Sequence, residues 1–240
     1  MSKDSLGDRM KGYEEATRAV LPRRLPIIIR VDGKAFHTYT RGCERPFDPN
    51  LQEVMNKTAM ALCKEIQGVQ LAYVQSDEIS LLVHNYKTFT TQPWFGNQIQ
   101  KMVSVAAGVA SAIFTSHSPM IFKETKHAVF DARVFVVPPD DVCNYFIWRQ
   151  QDTIRNSVQM LARSVFSHKE CDSMSVVQLK EMLQARGRDW SAESQANRFG
   201  RIAVYQCVMG QLEPRWHVKP APIFMENRDA VNQHLIVEEQ

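Results

Sequence analysis

Two short acidic segments carry the residue types that could do chemistry. Asp32 ends an apolar, β-branched run and is followed by Gly33, while Asp77 lies in the polar stretch Gln75-Ser76-Asp77-Glu78. Two carboxylates pressed together raise each other's pKa unless a cation lies between them. A hard divalent ion relieves that repulsion, and Mg²⁺ characteristically takes one or two carboxylates together with substrate phosphates. Two such ions about 3.5–4 Å apart activate an attacking oxygen and stabilise a leaving pyrophosphate. Gly33 permits close backbone approach to a ligand. The loop Gly33-Lys34-Ala35-Phe36-His37 offers amide N–H groups and a lysine charge to phosphates. Taken singly, Asp-Gly after a strand and Ser-Asp-Glu between strands are ordinary turns. Only a fold that joins them makes a two-metal phosphoryl- or nucleotidyl-transfer site.

The elements that must position them are legible. Leu25 to Val31 reads as a buried strand, started by Pro26 and stopped by Asp32-Gly33. Asp48-Pro49 opens a helix, because Asp is a favoured N-cap and Pro suits the first turn. Leu51, Val54, Met55, Thr58, Ala59 and Leu62 continue it at helical spacing to about Ile66. Leu71–Val74 and Ile79–His84 read as a hairpin around the acidic turn. Asn97–Ser116 is a helix rich in small residues, and Val129–Val137 is a fourth strand ended by Pro138-Pro139. The order β-α-β-β-α-β predicts an α+β, ferredoxin-like core. In that topology the first and third strands are antiparallel neighbours, so Asp32 and Asp77 should meet at one sheet edge. Beyond it, Asp141–Ser167 and Ser175–Arg186 read as helices. Arg201–Met209 is a strand or a buried helix end, and the residues from Pro214 look irregular. The expected organisation is a catalytic core over 1–139 and a mainly helical extension over 140–240, packed as one integrated domain.

Composition sets the outer bounds. The chain has 240 residues, 44% hydrophobic and 23% charged, which suits a globular protein rather than a fibrous or disordered one. A net charge of +3 argues against a histone-like binder but leaves room for a local basic patch. No uninterrupted apolar run approaches the roughly 20 residues of a membrane span, so no membrane partner is expected. Met1 to Glu15 is polar, unlike a signal peptide. The five cysteines (Cys43, Cys63, Cys143, Cys171 and Cys207) have no Cys-x-x-Cys spacing. They read as reduced thiols, and the expected location is cytoplasmic.

Arg30-Val31-Asp32-Gly33-Lys34-Ala35-Phe36-His37, followed by Gln75-Ser76-Asp77-Glu78, resembles the two signature motifs of the histidine-tRNA guanylyltransferase family. The resemblance continues through Phe130-Asp131-Ala132-Arg133-Val134 and Tyr145 to Asp152, and covers residues 5 to 160. It implies a polymerase-type palm that adds nucleotides in the 3′-to-5′ direction to the 5′ end of tRNA. By the same resemblance, Asp32 and Asp77 match the metal-binding carboxylates and the Gly33 carbonyl a backbone metal ligand, with two Mg²⁺ ions as cofactors. Asp32 to His37, with Ser76 and Asp77, match the nucleotide site for GTP, ATP and other NTPs. Glu78 adjoins the metal site as a weaker catalytic candidate. Lys101 and Arg133 fall at positions facing nucleotide phosphates, and the assembly implied is a homotetramer. One departure stands out: where eukaryotic members carry His-Ile-Asn-Asn, this chain has Ile154, Arg155, Asn156 and Ser157. That implies the guanylyltransferase-like branch, which repairs 5′-truncated tRNA by templated addition, with Asp152 and Asn156 as RNA-handling candidates.

Further phosphate contacts could come from Arg23-Arg24 and from Arg149, Arg155, Arg163, Arg186, Arg188, Arg198 and Arg201. Two other readings compete. A nucleotidyl cyclase would share the palm, but the hairpin lacks a Gly-Gly-Asp/Glu-Glu-Phe pattern. A non-catalytic RNA-binding module would display aromatics on its third strand, and Ile79–His84 has none.

Overall fold

A computed structural model describes residues 5–88, 90–208 and 213–235. Residues 1–4 of the polar N-terminal stretch, Met209 at the end of the Arg201–Met209 run, and the last five residues lie outside that range. The elements run α1 (Ser5–Glu15), β1 (Ile27–Gly33), α2 (Phe36–Tyr39), α3 (Pro49–Glu65), β2 (Val69–Gln75), β3 (Glu78–Val83), α4 (Ile99–His117), α5 (Pro119–Phe122) and β4 (Phe130–Val136). Then follow α6 (Pro139–Val165), α7 (His168–Cys171), α8 (Val176–Ala185), α9 (Gln195–Phe199), β5 (Arg201–Gln206), β6 (Arg215–Pro220) and α10 (Asp229–Asn232).

The expected boundaries hold where local chemistry sets them. The Asp48 carboxylate accepts the Leu51 N–H and caps α3, with Pro49 in its first turn. Ser175 caps α8 in a reciprocal capping box with Gln178. The sheet has six strands in the order β4-β1-β3-β2-β5-β6, with antiparallel neighbours throughout. Its first four strands are the ferredoxin-like order. Of the C-terminal pair, Arg201 to Gln206 is a strand on β2, one of the two readings the sequence left open, whereas Arg215 to Pro220, expected to be irregular, pairs with it as a further strand. Alternation along these segments is blurred because β5 is buried on both faces at its start, which removes the period-two signal.

Both faces of the sheet are covered. Ile27, Ile29, Val31, Ile79, Leu81 and Val74 pack against α3 and α4. Ile28, Leu82, Leu71 and Tyr73 pack on the other face with Cys143 and Phe146 of α6 and with Phe224. That explains why β1 reads as an unbroken apolar run. The stretch Ile99–Phe122 is long and apolar enough, by length and composition, to cross a membrane. Here Met102, Ala106, Ala110 and Phe114 are fully buried in the core. A third cluster, built on Val158, Leu161, Leu179 and Leu183, holds α8 against the far half of α6. All five cysteines are free.

Candidate active site

The topology delivers the expected juxtaposition. Asp32 pairs with Glu78 on β3 and with Asp131 on β4, so three acidic residues form a row across neighbouring strands. The Gly33 N–H donates to the Asp77 carbonyl at 3.1 Å, strapping the β2–β3 turn to the end of β1. A Cβ on Gly33 would come within 2.3 Å of the Phe36 ring, so no other residue fits without moving that ring. Phe36 is buried against Tyr39, Phe114 and Phe130. It anchors the chain as Ala35, at φ 54°, turns it into α2. The Lys34 N–H is taken by the Val129 carbonyl, while the amides of Ala35, Phe36 and His37 have no backbone acceptor among the described residues.

Electrostatics separate the acids. Burial raises the Asp32 pKa, with Glu78 and then Asp131 adding repulsion. Burial, followed by the Asp32 charge, pushes Asp77 up to about 6. Glu78 is treated differently. Arg149 of α6 donates through Nε and Nη2 to its two oxygens, each at 2.8 Å, and Gln75 and Ser80 donate to Oε1 at 3.1 and 3.2 Å. Among the described residues no three or more His, Cys, Asp or Glu side chains cluster as a metal cage. Asp32 and Asp77 are thus hard oxygen donors under mutual repulsion, with room for ligands from elsewhere. This donor set fits Mg²⁺, which is commonly held by one or two carboxylates plus phosphate oxygens.

A cleft of about 500 Å³ opens beside them. Gly33, Ala35, Phe36, His37, Ser76, Asp77 and Asn156 all line it, which brings the two sequence motifs and one α6 candidate to a single surface. The other predicted residues lie off its walls. Asp32 stands behind Gly33 on β1, and Lys34 is exposed. Lys101 is exposed in the first turn of α4. Arg133 is exposed on β4, 3.7 Å from Asp131. Asp152 is held in ion pairs by Arg149, at 2.8 Å, and by Arg155. Arg149 and Arg201, offered as surface phosphate contacts, are buried at 7% exposure. Arg149 serves Glu78 instead of solvent, so this part of the RNA-contact expectation is corrected. The sequence reading missed Thr40, Cys43, Glu44, Arg45 and Pro46, which line the cleft from the loop after α2, and Gln159 and Met160 on α6. Arg163, which also lines the cleft, had been named only as a general phosphate contact. The α6 positions were findable from helical spacing with Asn156; the loop carries no such signal.

Comparison with known proteins agrees with this geometry. The family model described as tRNAHis guanylyltransferase matches residues 7–138. A bacterial tRNA(His) guanylyltransferase-like protein solved in complex with ATP is 40% identical, superposes with a TM-score of 0.92, and covers 98% of this chain and 100% of its own. A second such structure, in complex with GTP, is 39% identical with a TM-score of 0.83 over 97% of this chain and 99% of its own. The probable tRNA(His) guanylyltransferase of Drosophila melanogaster is 31% identical over 153 residues, 62% of this chain and 51% of that protein. The chain therefore spans about half the length of that relative. With a family model covering more than half its residues, this chain belongs to the tRNAHis guanylyltransferase family.

Proposed function

We propose that this protein is a nucleotidyltransferase that adds nucleotides in the 3′-to-5′ direction to the 5′ end of tRNA, repairing truncated ends by templated addition. The observation that carries the reading is the convergence of Gly33, Ala35, Phe36 and His37 with Ser76-Asp77 on one cleft, beside two carboxylates that form no ion pair among the described residues and whose pKa values burial and neighbouring acids raise. The amides of Ala35 to His37 and the Ser76 side chain supply donors for a triphosphate. Asn156, Gln159 and Arg163 on α6 face the same space and orient the RNA end. Asp32 and Asp77, with the Gly33 carbonyl, would hold Mg²⁺, which when bound offsets phosphate charge and acidifies a hydroxyl. The chain's own part is positioning: in-line attack by the 3′-hydroxyl of an NTP on an activated 5′ phosphate needs both held in one dry, shaped site. Glu78 acts from behind, keeping Arg149 and the α6 wall in register with β3.

The test is extension of a tRNA lacking its first 5′ nucleotide, with Mg²⁺ and NTPs, followed by sequencing of the product end. Addition of the nucleotide complementary to the acceptor-strand partner supports the reading. Addition of G regardless of the partner overturns the templated branch. Absence of extension, with cyclic nucleotide made from NTP alone, overturns the whole reading.

A further inference from the structure

The α6 side of the sheet is only partly covered. Side chains alternate along β1, so Arg30 and Asp32 face the same side as Ile28. Across the ladder, Arg133 stands directly opposite Arg30, and Asp131 opposite Asp32. α6 closes over Ile28 and Leu82. It reaches β3 and β4 through Tyr145, whose hydroxyl is 2.8 Å from Ser80 Oγ and whose ring meets Phe135 edge-on at 5.7 Å. One turn later comes Trp148, 48% exposed, with the Arg30 guanidinium 6.0 Å from its ring. The ring is held in place. Tyr145 packs against it at 5.9 Å, and Arg149 lies over it at 4.4 Å, itself fixed by Glu78 and Asp152 at 2.8 Å each.

An exposed indole gains nothing from water, and this one stands among charges rather than in an apolar patch. Like charges directly opposite on neighbouring strands weaken a sheet, and here two such pairs lie side by side. Arg133 meets Asp131 only at 3.7 Å, with both side chains 56% exposed. A fixed aromatic face beside such cations fits a flat ring that carries negative charge, which is a nucleotide unit, rather than an apolar ligand or a protein surface. Trp148 is absent from the walls of the cleft where the Gly33–His37 segment and Ser76 offer donors to a triphosphate. It stands near Arg30, two residues before Asp32 on the same face of the sheet. We propose that Trp148 is the stacking platform for the 5′-terminal base of the RNA substrate, whose 5′ phosphate then reaches Asp32 and the cleft. The inference rests on the reading of this chain as an enzyme of RNA 5′ ends and names a residue that holds the end.

The test is equilibrium binding of the full chain to a 5′-monophosphorylated tRNA lacking its first nucleotide, without NTP, read by filter retention and by tryptophan fluorescence. Wild type should bind with quenching. Trp148→Leu should weaken binding about tenfold. Trp148→Phe keeps a ring and should stay within about threefold of wild type, while the quench due to the indole disappears. Both variants should melt close to wild type, since the side chain is half exposed. An RNA whose 5′-terminal residue is abasic should bind wild type and Trp148→Leu alike. In extension assays Trp148→Leu should raise KM for the RNA and leave KM for the NTP level. Binding needs no nucleotide transfer, so a chain that stacks the RNA end yet extends nothing sinks the catalytic reading and keeps this one. Equal affinity of wild type and folded Trp148→Leu for the intact RNA, an equal loss on the abasic RNA, or a Trp148-dependent quench by ATP alone overturns the proposal.

Discussion

Asp77 and Glu78 follow one another at the β2–β3 turn, yet their surroundings have opposite character. Asp77 lies at the cleft beside Asp32, with no cation in ion-pair range among the described residues, and its pKa is driven up to about 6. Glu78, one residue on, points to the α6 side of the sheet, where Arg149 grips both oxygens and the Trp148 ring lies 4.4 Å from that guanidinium. The first carboxylate is left under repulsion, open to an external ion. The second is fully compensated and ties a strand to a helix. Repulsion that a fold leaves uncorrected marks a place where a ligand enters the balance, whereas a saturated buried pair marks framework.

The comparison can be broken in four ways. The largest effect is expected at the cleft: Asp77→Asn and Asp32→Asn should each lower extension of a truncated tRNA by about 10³-fold or more. Melting temperature should stay level or rise, because a repelling charge is gone. A variant within tenfold of wild type would remove that residue from the metal site.

Next, Arg149→Met strands the buried Glu78 charge. It should cost about 3–5 kcal/mol, or roughly 10 °C in melting temperature for a chain of this size. The double variant Arg149→Met with Glu78→Leu should regain most of the loss; a double variant no better than the single would show that the pair is not the unit. Gly33→Ala forces the Phe36 ring aside and should cost about 1–3 kcal/mol, read by urea unfolding, with α2 displaced.

The smallest effect is proton competition. In metal-free protein the Asp77 pKa is raised above its ordinary value, so its protonated form stabilises the fold below about pH 4, and that contribution is lost as pH rises through about 6. Added Mg²⁺ selects the ionised form. Mg²⁺ affinity should therefore fall about tenfold from pH 7 to pH 5, as measured by calorimetry. A flat profile would place the ion elsewhere.

Much of this was legible before any tertiary contact was known. Asp48-Pro49 and Ser175 announce their helices through donors within three residues. Hydrophobic runs mark four strands, and their order alone brings Asp32 to the acidic turn, because ferredoxin-like topology makes β1 and β3 neighbours. Gly33, Ala35, Phe36, His37 and Asn156 line the cleft, while Lys34, Lys101 and Arg133 do not. The reason is directional: spacing locates a residue on an element, but which wall it faces depends on how that element is tilted and packed.

What the sequence by itself determined is therefore the order of elements, their caps and the meeting of two carboxylates. Each rests on local periodicity or on a topology with few alternatives. Only the tertiary structure decided that β5 and β6 extend the sheet, that Arg149 belongs to Glu78 across 71 residues, and that Arg201 is buried with its Nε on Asn56. An arginine looks the same in sequence whether it faces solvent, an acid or a buried amide. Its partner is chosen by contacts between distant segments, and those exist only once the sheet has closed against its helices.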